Sequence, residues 1–133
     1  MMMKLHHIGY TTADITATSA RFRSLGYEAG PVLKEDALQV ELCYLQKAGE
    51  PTIELVRQHN PESLEANLLA SEGVMPYHLC YEVADMETSL QSLEAEGYRR
   101  LFDPVPVSVL GGSRICYLHH SALGYLELLE IHP

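Results

Sequence analysis

His7 stands in His-Ile-Gly-Tyr and His78 in His-Leu-Cys-Tyr, while Glu54 stands in Ile-Glu-Leu and Glu127 in Leu-Glu-Leu. Two imidazoles and two carboxylates form a donor set suited to a borderline divalent cation. Alternate side chains of an extended strand share a face. Each glutamate then points away from its apolar neighbours, His7 away from Ile8 and His78 away from Leu79, with Tyr10, Tyr81 and Val83 on the apolar face toward helices. Taken singly, each residue also fits a half-exposed strand, or a histidine satisfied by backbone carbonyls. Taken together they point to one shared site, because a duplication that drifts without a common task need not keep His and Glu at both equivalent places.

The duplication runs along the chain. A step of 71 (78 − 7) takes His7 to His78, Asp14 to Asp85, Gly26 to Gly97 and Tyr27 to Tyr98. The step then grows to 73 (127 − 54), which takes Leu42-Cys43-Tyr44-Leu45 to Ile115-Cys116-Tyr117-Leu118 and Glu54 to Glu127, as an insertion of two residues would produce. In the first copy, Leu5 to Tyr10 predicts a strand, Asp14 a helix N-cap, and the run to Leu25 an amphipathic helix closed by Gly26. Strands follow over Val40 to Leu45 and Thr52 to Val56, with a further one over Val32 to Leu38. The second copy predicts a strand from His78 to Val83, a helix from Asp85 to Glu96, and strands near Arg114 to Leu118 and Tyr125 to Glu130. Asn60-Pro61-Glu62 and a short helix from Ser63 to Glu72, ending at Gly73, join them. The expected organisation is one domain over 1–133, with a first module over 1–59, a linker helix over 60–75 and a second module over 76–133. At about 60 residues neither module buries enough apolar surface to stand alone.

With 133 residues and 47% hydrophobic content, the chain has room for one compact domain. No signal peptide or membrane span is evident, so a cytoplasmic protein with no membrane partner is expected. Cys43, Cys80 and Cys116 lie in predicted strands without CxxC spacing, which suits reduced, buried thiols. A net charge of −9 with nine Lys and Arg excludes the clustered basic surface that a nucleic-acid partner needs. An anionic substrate would need local help, for which Arg99, Arg100 and Arg114 are the candidates.

These residues carry a resemblance. His6-His7-Ile8-Gly9-Tyr10, Ile53-Glu54-Leu55, Tyr77-His78-Leu79-Cys80-Tyr81-Glu82-Val83 and Gly124-Tyr125-Leu126-Glu127-Leu128-Leu129-Glu130 resemble, in order and spacing, the vicinal oxygen chelate superfamily. That superfamily includes glyoxalase I, methylmalonyl-CoA epimerase, extradiol dioxygenases and bleomycin-resistance proteins. The likeness spans essentially the whole chain and is strongest toward the epimerase and glyoxalase branch. It implies an α+β fold in which two βαβββ modules form an incomplete eight-stranded barrel around a central cleft. It also implies that His7, Glu54, His78 and Glu127 ligate one divalent ion, be it Zn, Ni, Co, Mn or Fe. Glu54 matches the glyoxalases, since epimerases of the family commonly carry glutamine there. Glu41 in Val40-Glu41-Leu42 resembles an epimerase strand bearing a catalytic acid, and Gly111-Gly112-Ser113-Arg114 and the helix between the modules also resemble epimerase segments. Solvated strand residue and ordinary tight turn are the plain alternatives for Glu41 and the glycine pair.

The chemistry implied is proton abstraction next to a carbonyl through a metal-stabilised enediolate, with Glu41 or a displaced Glu127 as base. Epimerisation of a thioester such as methylmalonyl-CoA is the leading expectation. A lactoylglutathione lyase (glyoxalase I) acting on a thiol conjugate is the alternative enzyme, and a non-catalytic small-molecule binding or resistance protein is the alternative from another class. A dioxygenase fits less well, because its iron is held by two histidines and one carboxylate. A homodimer is expected, since exchange of equivalent elements between copies is accessible. His6 is expected on the opposite strand face from His7, and His59, His119, His120 and His132 at solvated positions, with Glu130 as the fallback ligand if the last strand slips.

Overall fold

The structure is a computed structural model and describes residues 3–132, so the expected outer module ends at residues 1 and 133 lie outside the described residues. Strand β1 (Lys4–Thr11) leads into helix α1 (Ile15–Arg23). The Asp14 carboxylate accepts a hydrogen bond from the Ala17 N–H at 3.0 Å and so satisfies one of the orphan donors at the helix start. Strands β2 (Glu28–Glu35), β3 (Val40–Gln46) and β4 (Ile53–Gln58) follow, then helix α2 (Leu64–Glu72). Strand β2 starts four residues before the expected Val32 and stops at Glu35, because Asp36–Leu38 turn into a 3-10 helix that closes on Gln39 at a left-handed φ of 56°. Ser63 caps α2 by accepting from the Ala66 N–H at 3.1 Å.

The second copy contains β5 (Met75–Val83), α3 (Met86–Ala95), β6 (Arg99–Arg100), β7 (Val105–Pro106), β8 (Arg114–His120) and β9 (Gly124–Glu130). Asp85 caps α3 by accepting from the Thr88 N–H at 2.9 Å. The described residues therefore hold nine strands rather than eight. The counterpart of β2 is split into β6 and β7, with Pro104 just before the second piece and Pro106 within it, which removes two N–H donors from this segment. The fold is the α+β arrangement expected for the vicinal oxygen chelate class.

The chain divides into two compact units, residues 7–77 and the described residues before His7 together with those from His78 onward. In the first, the strand order is β2-β3-β4-β1, with β4 antiparallel to β3 and parallel to β1. In the second the order is β5-β9-β8-β6, with β7 also on β8, β9 antiparallel to β8 and parallel to β5. Each sheet segment buries one face under its helix. Ile15, Tyr27, Cys43, Leu45, Ile53 and Leu55 form the first core, and Val83, Met86, Leu90, Leu93, Cys116, Leu118, Leu126 and Leu128 form the second. Each fully buried aliphatic side chain contributes about 1.5–3 kcal/mol. The three cysteines are free and buried. Burial pushes the Cys116 thiol up to about 11, and its Sγ donates to the Phe102 carbonyl at 3.1 Å, so it is a packing residue and not a nucleophile.

The two helix ends show the same device with different chemistry. Lys47 Nζ donates to the Leu25 carbonyl at 2.7 Å past α1, and His120 Nε2 lies 3.1 Å from the Glu96 carbonyl past α3. His120 Nδ1 accepts from the Ala122 N–H at 2.9 Å, which leaves the ring proton on Nε2 to donate to Glu96. Gly26 and Gly97 sit beneath these side chains at φ of +95° and +97°, and a Cβ at Gly97 would lie 3.3 Å from His120 Nε2. No helix among the described residues is long and apolar enough to cross a membrane. Gly97→Ala should cost about 1–2 kcal/mol through the left-handed backbone and displacement of the His120 cap, read as a lowered thermal midpoint.

Candidate functional site

In the first unit, Gly9 pairs with Glu54 across the parallel β1–β4 ladder, and Tyr44 pairs with Glu54 across the β3–β4 hairpin. Cross-strand partners share a face, and His7 lies two residues before Gly9, so His7, Tyr44 and Glu54 lie on the face away from α1. His7 Nε2 is 3.3 Å from Glu54 Oε1, and the two residues are 1% and 6% exposed. The Tyr44 ring meets the His7 ring edge-on, with centroids 5.7 Å apart and planes at 67°.

The second unit repeats this. Cys80 pairs with Glu127 on the parallel β5–β9 ladder and Tyr117 pairs with Glu127 on the β8–β9 hairpin, with His78 two residues before Cys80. His78 Nε2 is 3.1 Å from Glu127 Oε1, and the pair is likewise buried. Tyr117 packs on His78 with centroids 5.2 Å apart, and its ring is stacked with Phe102 at 5.8 Å. Ligands bound about 2.0–2.2 Å from one ion lie about 3 Å from each other, so the 3.1 and 3.3 Å separations fit two donors on a common cation. A neutral imidazole and an ionised carboxylate are the forms that bind metal. The donor chemistry therefore fits the divalent ion that the resemblance implies.

Glu41, expected as a catalytic acid, lies on the other face of the sheet from Glu54. Its partner across the hairpin is Arg57, whereas that of Glu54 is Tyr44, and an odd step along each strand separates the two pairs. Glu41 thus lies on the α1 side of the sheet, where it accepts from Arg57 Nη1 at 2.8 Å and lies 3.1 Å from His59 Nε2. It borders a recess of about 290 Å³ with Asp14, Thr16 and Arg57. The repeat explains this placement. The step of 73 takes Glu41 to Arg114 (114 − 41) and Arg57 to Glu130 (130 − 57), so both modules carry one cross-strand ion pair with the charges exchanged.

Glu130, the fallback ligand, is committed to this second pair and lies on the helix side. It accepts from Arg114 Nε at 3.0 Å and from the Met86 N–H at 2.9 Å at the start of α3. Arg114 also donates to both Glu87 oxygens at 2.9 Å. Arg100 is held by Glu94 and Asp103. Two of the three arginines considered for an anionic substrate are thus engaged with acids of their own module, while Arg99 is exposed on β6. Gly111 and Gly112, at φ of +69° and +85°, close the 3-10 turn over Ser108–Leu110. Of the outlying histidines, His59 serves Glu41, His119 packs on Tyr125 with centroids 4.8 Å apart, and His120 caps α3. Tyr44 and Tyr117 were assigned no role from sequence, although the step of 73 that carries Glu54 to Glu127 also carries Tyr44 to Tyr117.

The Arg114 guanidinium hydrogen-bonded to Glu130 holds its carboxyl below the ordinary value of 4.5. A carboxyl whose value falls on folding adds stability above its unfolded value and loses it as pH drops through its folded value. Glu130→Gln should lower stability by about 1–2 kcal/mol at pH 7 in urea denaturation, and the gap from the unsubstituted protein should close as pH falls below the ordinary 4.5.

Comparison with known proteins identifies the family and similar folds. The family described as Glyoxalase/Bleomycin resistance protein/Dioxygenase superfamily matches residues 4–117. A comparison with curated proteins gives no match. A hypothetical protein from Bacillus halodurans C-125 is similar in structure, with 24% identity, a TM-score of 0.85, and coverage of 100% of this chain and 97% of that one. Methylmalonyl-CoA epimerase from Mycobacterium tuberculosis is similar at 22% identity and a TM-score of 0.81, covering 97% of this chain and 88% of its own. A variant of the Streptomyces coelicolor methylmalonyl-CoA epimerase, in complex with 2-nitronate-propionyl-CoA, is similar at 22% identity and a TM-score of 0.81 over 100% of both chains.

Proposed function

This chain belongs to the Glyoxalase/Bleomycin resistance protein/Dioxygenase superfamily, and from that premise we propose that it is a divalent-metal-dependent isomerase or lyase. In this reading it abstracts a proton next to a carbonyl, in the manner of methylmalonyl-CoA epimerase. The observation that carries the reading is the duplicated buried His–Glu pair. His7, Glu54, His78 and Glu127 each offer one donor atom and are buried, and they would hold one ion. Burying a carboxylate is costly unless a cation or hydrogen bonds repay it, which a strand serving only as scaffold has no reason to incur twice.

The bound ion supplies charge stabilisation at the oxygen of a carbonyl whose neighbouring carbon is losing its proton. His7 and His78 offer Nε2 as donor atoms and hold Glu54 and Glu127 in place. With Glu41 on the helix side, Glu127 is the base of this proposal. Displaced from the ion, its carboxylate would take the proton from carbon, and the proton would return to the opposite face in an epimerisation or to the adjacent carbon in a lyase reaction. A CoA thioester is the substrate class favoured by the ligand of the Streptomyces coelicolor structure. Glu54 favours the second reading, a glyoxalase I-like lyase of a thiol conjugate, because glutamate at this position resembles the glyoxalases, whereas epimerases of the family commonly carry glutamine. Three reduced thiols fit a cytoplasmic site of action.

Elemental analysis of protein purified without added metal or chelator should find about one equivalent of Zn, Ni, Co, Mn or Fe, absent from the double variant His7→Ala, His78→Ala. No metal, and no uptake on titration, would falsify the proposal. Glu127→Gln should lower turnover of an enolisable thioester or a hemithioacetal by about 10²-fold or more with the circular dichroism spectrum unchanged, and retained activity would remove Glu127 as base. We also propose a homodimer. Light scattering should give twice the chain mass of 14.9 kDa, and a value near the single-chain mass would dispose of it.

A further inference from the structure

We infer that Tyr44 and Tyr117 are a duplicated pair of positioning residues whose rings fix the orientation of the two ligating imidazoles. The inference rests on the metal-binding reading above and names residues that hold its ligands in place. Each tyrosine is the hairpin partner of a glutamate of the donor set, and each ring contacts the histidine of the same module, at 5.7 Å for Tyr44 on His7 and 5.2 Å for Tyr117 on His78. A histidine χ2 torsion is broad, so strand geometry alone sets where the imidazole starts but not how it is turned. A flat side chain against the ring restricts that rotation and points Nε2 along one line. The same step of 73 relates the glutamates (127 − 54) and the tyrosines (117 − 44), so glutamate and tyrosine travel together in the duplication.

The modules differ in how the tyrosine itself is held. Cys43 Sγ donates to the Gly30 carbonyl and Cys116 Sγ to the Phe102 carbonyl, which makes Gly30 and Phe102 equivalent backbone positions. Phe102 stacks on Tyr117 with planes 29° apart, while glycine offers Tyr44 no such ring. Tyr117 is therefore clamped between His78 and Phe102.

The test is Co(II) titration followed by visible absorption and calorimetry on the unsubstituted protein and on Tyr117→Phe, Tyr117→Leu and Tyr44→Leu. The thermal midpoint of each metal-free protein is measured in parallel. Tyr117→Phe keeps the ring and should hold Co(II) within about threefold of the unsubstituted protein. Tyr117→Leu and Tyr44→Leu should each weaken it about 10- to 100-fold and alter the absorption bands that report ligand geometry. If Tyr117→Leu does not fold, Tyr117→Met removes the ring at similar bulk and makes the same comparison. Co(II) binding by the Leu or Met variant equal to that of the unsubstituted protein overturns the inference, as does a loss in Tyr117→Phe as large as in Tyr117→Leu. Failure of the unsubstituted protein to take up Co(II) overturns the metal reading, and this inference falls with it.

Discussion

A buried carboxylate is among the most expensive groups a small domain can carry, and this chain buries Glu54 and Glu127 at 6% and 5% exposure, each within 3.3 Å of a buried imidazole. Much of each module's layout follows from meeting that cost. The glutamate must sit on the sheet face away from the helix, which requires apolar residues on both sides of it. The histidine must arrive on a strand parallel to it and two residues out of step. The β1–β4 and β5–β9 ladders satisfy both conditions with matching registers, Gly9 opposite Glu54 and Cys80 opposite Glu127.

The helix-packed faces follow a looser rule. Where the ligand faces keep residue identity through the duplication, the ion pairs beneath the helices keep only complementarity. Glu41 and Arg57 in one module answer to Arg114 and Glu130 in the other, with the charges reversed. Lys47 and His120 cap equivalent helix ends by different chemistry. A structural ion pair or cap works equally well with its partners exchanged, whereas a cation accepts only donors. On the proposed metal-binding reading, that contrast sets the His–Glu pairs apart from Glu41, whose partners are Arg57 and His59.

The aromatic residues sit between these extremes. Tyr10, Phe22 and Tyr27 pack edge to face within the first core, with centroids 5.2 and 5.5 Å apart. Tyr44 and Tyr117 lie on the other face, against the histidines. Core aromatics belong to the fold, while Tyr44 and Tyr117 lie against the histidines of the proposed metal site.

Much was legible in the residues alone. Alternation within a strand put Glu54 opposite Ile53 and Leu55, and Asp14, Ser63 and Asp85 announced their helices, because caps and strand faces depend only on near neighbours in sequence. The repeat itself singled out His7, Glu54, His78 and Glu127. What the residues left open depended on how strands align with one another. Alternation assigns faces within β3 and within β4 but does not relate the two, and a shift of one residue across their turn would have put Glu41 on the same face as Glu54. Only the register pairing Glu41 with Arg57 and Tyr44 with Glu54 decided which acid lies beneath the helix and which tyrosine meets the histidine.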